Sequence, residues 1–214
     1  MASAAHTSPD QPSGHRAIVL GATGATGRQV VKALLDRNWE VTTITRRHFE
    51  YYDPSEQKTA ELARLTEIVV ENYDTLTTDM FSGHDALFNC LGTTRGQAGS
   101  AEAFVHVEVG LTELASAAAK AAGVKHVSLV SAQGANKDAW VPTTMIHPML
   151  YMRTLGEKED AVVSKSFPSV SVYRPGMLDR LVGDRAAENF LSWLMPSLTL
   201  RVDVLARAMV KDAE

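Results

Sequence analysis

Residues 17–27, Ala-Ile-Val-Leu-Gly-Ala-Thr-Gly-Ala-Thr-Gly, limit what this chain can fold into more than any other stretch. An apolar run too short for a helix ends at Gly21. Gly24 and Gly27 follow at intervals of three, and an amphipathic segment then begins. The pattern predicts a strand, a tight turn and a helix N-terminus with no side chains in the way. Backbone N–H groups at the positive end of a helix dipole, left uncovered by glycines, suit a dinucleotide pyrophosphate. Glycines also serve ordinary tight turns, so the strand before and the helix after are the context that favours a nucleotide. The spacing Gly-x-x-Gly-x-x-Gly, not Gly-x-Gly-x-x-Gly, points to a particular branch of such folds.

From Arg16 onward, short runs rich in Val, Ile, Leu and Phe alternate with helical stretches. Residues 17–20, 41–45, 67–70, 86–90, 127–130 and 170–173 read as strands buried on both faces. Residues 27–37, 101–122 and roughly 149–164 read as helices, with Asn38 and Gly123 standing where the first two should stop. Strands alternating with crossover helices imply an α/β fold, a single Rossmann-type, doubly wound parallel sheet. The 214 residues, 45% of them apolar, suit about one domain with a real core. The expected organisation is a disordered tail over residues 1–15, rich in Ser, Ala, Pro and His, and one domain over 16–214. Residues 48–63 read as a polar loop with a turn at Asp53-Pro54, and 202–213 as a last helix. Sheets of this kind often carry a further strand beyond that helix, so either a minimal fold or an incomplete C-terminus is expected.

Composition removes several function classes. A formal net charge of −4 without a basic block argues against nucleic acid as a partner. No apolar run reaches the length of a transmembrane helix. The single cysteine, Cys90, has no internal disulfide partner and reads as a small core residue in a reducing compartment. No secretory h-region precedes Arg16 and no arginine either, which gives a mitochondrial transit peptide little support and makes the cytoplasm the expected location. Seven histidines without an H-x-x-x-H pair give no metal site. A G-x-S-x-G elbow and a G-x-x-x-x-G-K-[ST] loop are both missing. The apolar cluster Phe190, Leu191, Trp193, Leu194, Met195 reads as core or as a lid over a substrate.

The end of the second strand chooses the nucleotide. NAD binders place an acid there for the ribose 2′-hydroxyl, and NADP binders place Arg near the 2′-phosphate. Here Arg46 and Arg47 follow Thr45, with no carboxylate in sequence until Glu50. The expected cofactor is therefore NADP(H), cradled by Gly21, Thr23, Gly24, Ala25, Thr26 and Gly27, with Arg28 as a further cation.

Together with the glycine turn and the Arg pair, the run Cys90-Leu91-Gly92-Thr93-Thr94-Arg95-Gly96 is the most specific stretch, continuing through Phe104-Val105-His106-Val107-Glu108. Ser131-Ala132-Gln133-Gly134-Ala135 and Tyr173-Arg174-Pro175-Gly176 belong to the same pattern. On these residues the chain resembles the atypical short-chain dehydrogenase/reductases, in particular the Tat-interacting, metastasis-suppressor-like subgroup and its fungal mitochondrial relatives, from residue 16 to about 210. The resemblance implies that Leu91, Gly92 and Thr93 pass beside the cofactor. It also implies that Pro175, Gly176 and Met177 lie near the nicotinamide.

Reductive chemistry in such proteins rests on Ser, Tyr and Lys, with Tyr-x-x-x-Lys on one helix. Four residues bring both side chains to one face. The ammonium lowers the Tyr hydroxyl pKa and makes it a usable acid near neutral pH, while the Ser orients the carbonyl. In this chain Tyr151 is in place and the lysine position is Leu155. Lys158 shares the helical face but starts about 10 Å along the axis from Tyr151, and Arg153 points to the opposite side. Without the cation, Tyr151 is expected to be a poor proton donor. Ser131 is the candidate orienter, the family's second serine falls at Ala132, and Thr93 and Ser128 are alternative hydroxyls. A register shift through residues 136–149 would bring in His147 or Lys137 instead.

Two functions therefore stand open. One is an NADP(H)-dependent oxidoreductase acting on a small-molecule carbonyl, with Tyr151 as acid/base and Ser131 as orienter. The other is a non-catalytic, nucleotide-sensing regulatory or scaffold protein, with a regulatory protein as its partner and Tyr151 packing as an ordinary helix residue. Leu155 leans toward the second.

Overall fold

The parallel arrangement follows from how the buried strands are joined. In this computed structural model, which describes residues 14–48, 59–141, 148–179 and 199–214, six strands form one sheet. They are β1 (Arg16–Leu20), β2 (Glu40–Thr45), β3 (Leu65–Val69), β4 (Ala86–Asn89), β5 (His126–Val130) and β6 (Ser169–Tyr173). Their order is β3-β2-β1-β4-β5-β6, and every neighbouring pair is parallel. The order reverses between β1 and β4, which opens the crevice where ligands of doubly wound sheets bind. The expected Rossmann-type α/β fold is what forms.

Alternation along each strand supplies both faces. Ala17 and Val19 of β1 point to one core with Val41, Ala86 and Phe88, while Ile18 and Leu20 point to the other with Ile44, Leu87, Val127 and Leu129. Right-handed crossovers leaving β1 in opposite directions must lie on opposite faces. Accordingly α1 (Ala25–Leu35) covers the first core beside the C-terminal helix, and the helices that lead to β5 and β6 cover the second.

Six further helices are described. They are α2 (Thr59–Leu62), α3 (Arg95–Ala98), α4 (Ala101–Val105), α5 (Leu111–Ala121), α6 (Pro148–Val163) and α7 (Val202–Lys211). α4 and α5 are one continuous rod joined by a wider π turn over His106–Gly110, so the single helix expected at 101–122 is present with a bulge in it. Asn38 takes the left-handed conformation (φ 61°) just past α1, where the sequence places a stop. Two further strands, β7 (Met177–Asp179) and β8 (Thr199–Arg201), pair in parallel as a separate small sheet that three-residue runs do not announce. α7 packs Leu205, Ala206, Met209 and Val210 into the α1 core, and the Tyr173 hydroxyl donates to Asp212 just past α7. The Asp53-Pro54 turn, the 190–195 cluster and residues 1–13 of the tail lie outside the described residues.

Two histidines give the fold a pH dependence. His84 Nδ1 lies 3.1 Å from the Ser82 carbonyl and must donate to it, so Nε2 accepts from Thr42 Oγ1 at 2.9 Å. His126 bridges Ser169 Oγ at 2.8 Å and Ser128 Oγ at 2.9 Å. Burial lowers the pKa of both rings below the ordinary histidine value. The unfolded chain then binds more protons than the folded one as pH falls through that value, so stability present above it is lost below it. Thermal melts from pH 7.5 to 5 should show a falling Tm, and the fall should be shallower in His126→Gln. A Tm that rises on acidification would contradict this.

Candidate functional site

The glycine turn is built by backbone contact alone. Gly21 has φ +75°, and a Cβ there would stand 2.6 Å from the Cys90 carbonyl oxygen. A Cβ at Gly27 would stand 2.2 Å from the Gly21 oxygen. The end of β1, the first turn of α1 and the end of β4 therefore meet at a spacing that leaves no room for a side chain. Gly24 begins α1 and is exposed; no side chain caps the helix, and no carboxylate sits in its first turn. Thr23, Ala25 and Thr26 line the same partly open edge, and Arg28 is exposed beside it. Glycine-floored, and among the described residues without a side-chain cap or a carboxylate in its first turn, this helix end fits a pyrophosphate.

Beyond β2, Arg46 and Arg47 are exposed, and the Arg46 guanidinium lies over the Tyr73 ring, 5.8 Å from its centroid. Tyr73 is buried, its hydroxyl donates to the Ile44 carbonyl at 3.2 Å, and burial raises its pKa. Sequence reasoning missed Glu67. It faces Thr43 across the β2–β3 ladder and accepts from Thr45 Oγ1 at 3.3 Å and from His48 Nδ1 at 3.0 Å. A carboxylate thus reaches the end of β2 from the neighbouring strand, which only the parallel register reveals.

The expected reductive residues lie on α6 and just past the end of β5. Tyr151 is 42% exposed and stacks on Phe104, with ring centroids 6.0 Å apart. Leu155 is buried. Ser131 is buried as well, and its hydroxyl donates to Glu159 Oε1 at 2.6 Å, on the same carboxylate that Arg174 grips with Nε and Nη2. Glu159 lies two helical turns beyond Tyr151, about 12 Å along the axis. Lys158, read from sequence as starting too far away, is 2% exposed, and its Nζ donates to the Leu91 carbonyl at 2.7 Å and to Glu108 Oε2 at 2.9 Å. The other Glu108 oxygen accepts from the Thr93 N–H at 2.7 Å.

The alternative residues are also engaged. Ser128 is buried on His126, Lys137 pairs with Asp160 at 2.7 Å, and Arg153 pairs with Glu157 at 2.8 Å on the outer side of α6. The Thr93 hydroxyl donates only weakly, to the Thr94 carbonyl at 3.4 Å. His147 lies outside the described residues. Residues 136–137, at the start of the expected 136–149 loop, pack tightly on α6: the Asn136 N–H donates to the Met152 carbonyl, and a Cβ at Gly156 would stand 2.0 Å from the Lys137 nitrogen. Pro175 is buried and its carbonyl accepts from the Gln133 N–H at 2.9 Å, so Gly176 and Met177 are presented beside the end of β5. Burial pushes the Cys90 thiol up to about 12, away from the thiolate form a nucleophile needs. Among the described residues no His, Cys, Asp or Glu cluster could hold a metal, and no helix is long and apolar enough to cross a membrane.

A family model described as NAD(P)H-binding matches residues 21–185. The chain belongs to this NAD(P)H-binding family. Protein HTATIP2 of Rattus norvegicus is 36% identical over 166 residues, 75% of this chain and 61% of that protein. Protein FMP52, mitochondrial, of Lodderomyces elongisporus is 35% identical over 166 residues, 75% of this chain and 66% of that protein. The chain thus spans about two thirds or less of the length of these relatives. Both bear out the resemblance read from the glycine turn and the Cys90–Gly96 run. MoeE5 in complex with UDP-glucose and NAD has the same fold, with a TM-score of 0.69 at 17% identity, over 93% of this chain and 72% of that one.

Proposed function

We propose that this chain is an NADP(H)-binding protein whose output is its nucleotide-bound state rather than carbonyl reduction by a Ser–Tyr–Lys relay. One observation carries the reading. Leu155 is buried at the position where such a relay has its ammonium, while the nearby Lys158 is committed to Glu108 and Leu91. Ser131 is spent on Glu159 in the same way. A bound nicotinamide supplies a hydride donor or acceptor. Around it, this chain offers Tyr151 with Leu155, not a lysine, four residues further along α6. A regulatory protein partner fits this reading, and a small-molecule carbonyl fits the oxidoreductase alternative.

The glycine turn would hold the pyrophosphate, with Thr23, Gly24, Ala25 and Thr26 at its edge. Arg46, Arg47 and Arg28 supply charge for a 2′-phosphate. Leu91, Gly92, Thr93, Pro175, Gly176 and Met177 would border the nicotinamide half. Glu67 favours a second reading, in which a carboxylate at the end of β2 takes the ribose hydroxyls of NAD. Titration separates them. The unaltered chain should bind NADPH about tenfold more tightly than NADH, and Arg46→Ala/Arg47→Ala should erase that preference. Tighter binding of NADH, weakened by Glu67→Gln, would favour the second reading. The lone cysteine supports a cytoplasmic location and the name of the fungal relatives a mitochondrial one; fractionation of the tagged chain separates these.

A further inference from the structure

We propose that the buried Lys158–Glu108 pair is a positioning clamp that sets the nicotinamide half of the dinucleotide through the backbone of Leu91–Thr93. The proposal rests on the nucleotide-binding half of the reading above and not on the NADP preference.

The pair spans three parts of the fold. Lys158 comes from α6, Glu108 from the π turn between α4 and α5, and both reach the loop after β4. The ammonium takes the Leu91 carbonyl, and the carboxylate takes the Thr93 N–H two residues later. The Leu91 N–H is held separately by Asn89 Oδ1 at 3.1 Å, and Asn89 Nδ2 donates in turn to Thr112 Oγ1 at 3.2 Å. Both backbone polar groups of Leu91 are therefore fixed from below the loop, while Gly92 stays exposed above it.

Topology says which half of the ligand this loop meets. Arg46 and Arg47 follow β2, on one side of β1, and the pyrophosphate turn ends β1 itself. The adenosine end therefore lies toward β2, and the nicotinamide end runs the other way, toward β4 and β5. The Cys90 backbone, one residue before the clamped loop, presses on Gly21.

Energetics separates this role from simple packing. A buried ion pair adds little net stability, because desolvation offsets the attraction, and apolar residues of similar volume often do as well. Apolar residues cannot hold a carbonyl and an N–H. The π turn, a winding found mostly as single turns near functional sites, sets Glu108 where it does both.

The test uses the full chain carrying Lys158→Met/Glu108→Leu, which removes both charges and leaves neither orphaned. NADPH and NADH are titrated beside adenosine 2′,5′-bisphosphate and AMP, which lack the nicotinamide half. The Kd of the preferred dinucleotide should rise about tenfold, and that of its adenosine fragment should stay within about twofold. Unchanged affinity for both, or an equal loss of both, would overturn the clamp. Amide exchange on the unaltered, nucleotide-free chain gives a second reading that needs no variant. The Leu91 and Thr93 N–H groups should exchange slowly, and fast exchange at Thr93 would overturn the proposal. Failure of the Arg46–Arg47 assignment appears separately, as equal affinity of the unaltered chain for NADPH and NADH.

Discussion

Gly27→Ala should unfold the nucleotide turn and lose dinucleotide binding together. The added methyl would stand 2.2 Å from the Gly21 oxygen, 2.7 Å from its carbonyl carbon and 2.9 Å from the Ala22 Cα, all backbone atoms. Gly21 cannot retreat, because its own Cα already faces the Cys90 carbonyl closely enough to exclude a side chain. The cost should reach at least the ~3 kcal/mol upper end of ordinary overpacking, a Tm drop of roughly 6–12 °C. Gly24→Ala is the companion. Its Cβ would meet only the Gly21 oxygen at 3.3 Å, on an exposed helix start of ordinary φ. It should melt within a few degrees of the unaltered chain and still bind nucleotide at least about tenfold more weakly, because the methyl covers the phosphate face. Equal affinity in Gly24→Ala would place the pyrophosphate elsewhere.

Lys158→Met should be nearly as disruptive for the opposite reason. It takes away no volume to speak of, but it leaves Glu108 buried with its compensating charge gone. Removing one partner of such a pair costs about 3–5 kcal/mol, so Tm should fall by roughly 6–20 °C. Adding Glu108→Leu should recover most of that loss, since the orphaned carboxylate goes with it. Thermal melts of the single and double variants check this. A single variant as stable as the unaltered chain would mean that the carboxylate finds other partners, and the pair would then not be what fixes the loop.

The sheet was legible because strands buried on both faces read as unbroken apolar runs between helical stretches. Five of the six expected strands fall within a residue or so of their places. The third begins earlier, at Leu65, because it is a partly exposed edge strand in which Thr66 and Glu67 break the apolar run. β7 and β8 were not legible, since three residues carry no periodicity and their partners lie about twenty residues apart. The π turn was hidden too, because one widened turn barely alters the apolar spacing of a long helix.

At the site, the glycine turn and the vacated lysine position could be read directly from residue order. The fate of Lys158 could have been read in part. Leu155, Lys158, Glu159 and Val162 fall at helical spacing on the buried side of α6, and a lysine on such a face demands a partner. That the partner is Glu108, fifty residues upstream, is a property of the fold. Glu67 was hidden for the same reason. Its proximity to Thr45 exists only through the β2–β3 register.

Hydride transfer itself is the most direct test of the central claim. The chain is saturated with NADPH, aldehydes, ketones and quinones are offered, and cofactor oxidation is followed for the unaltered chain, Tyr151→Phe and Leu155→Lys. The expected result is saturable NADPH binding, no Tyr151-dependent turnover in the unaltered chain, and turnover gained only when lysine is restored at 155. Clear turnover by the unaltered chain that Tyr151→Phe abolishes would contradict it.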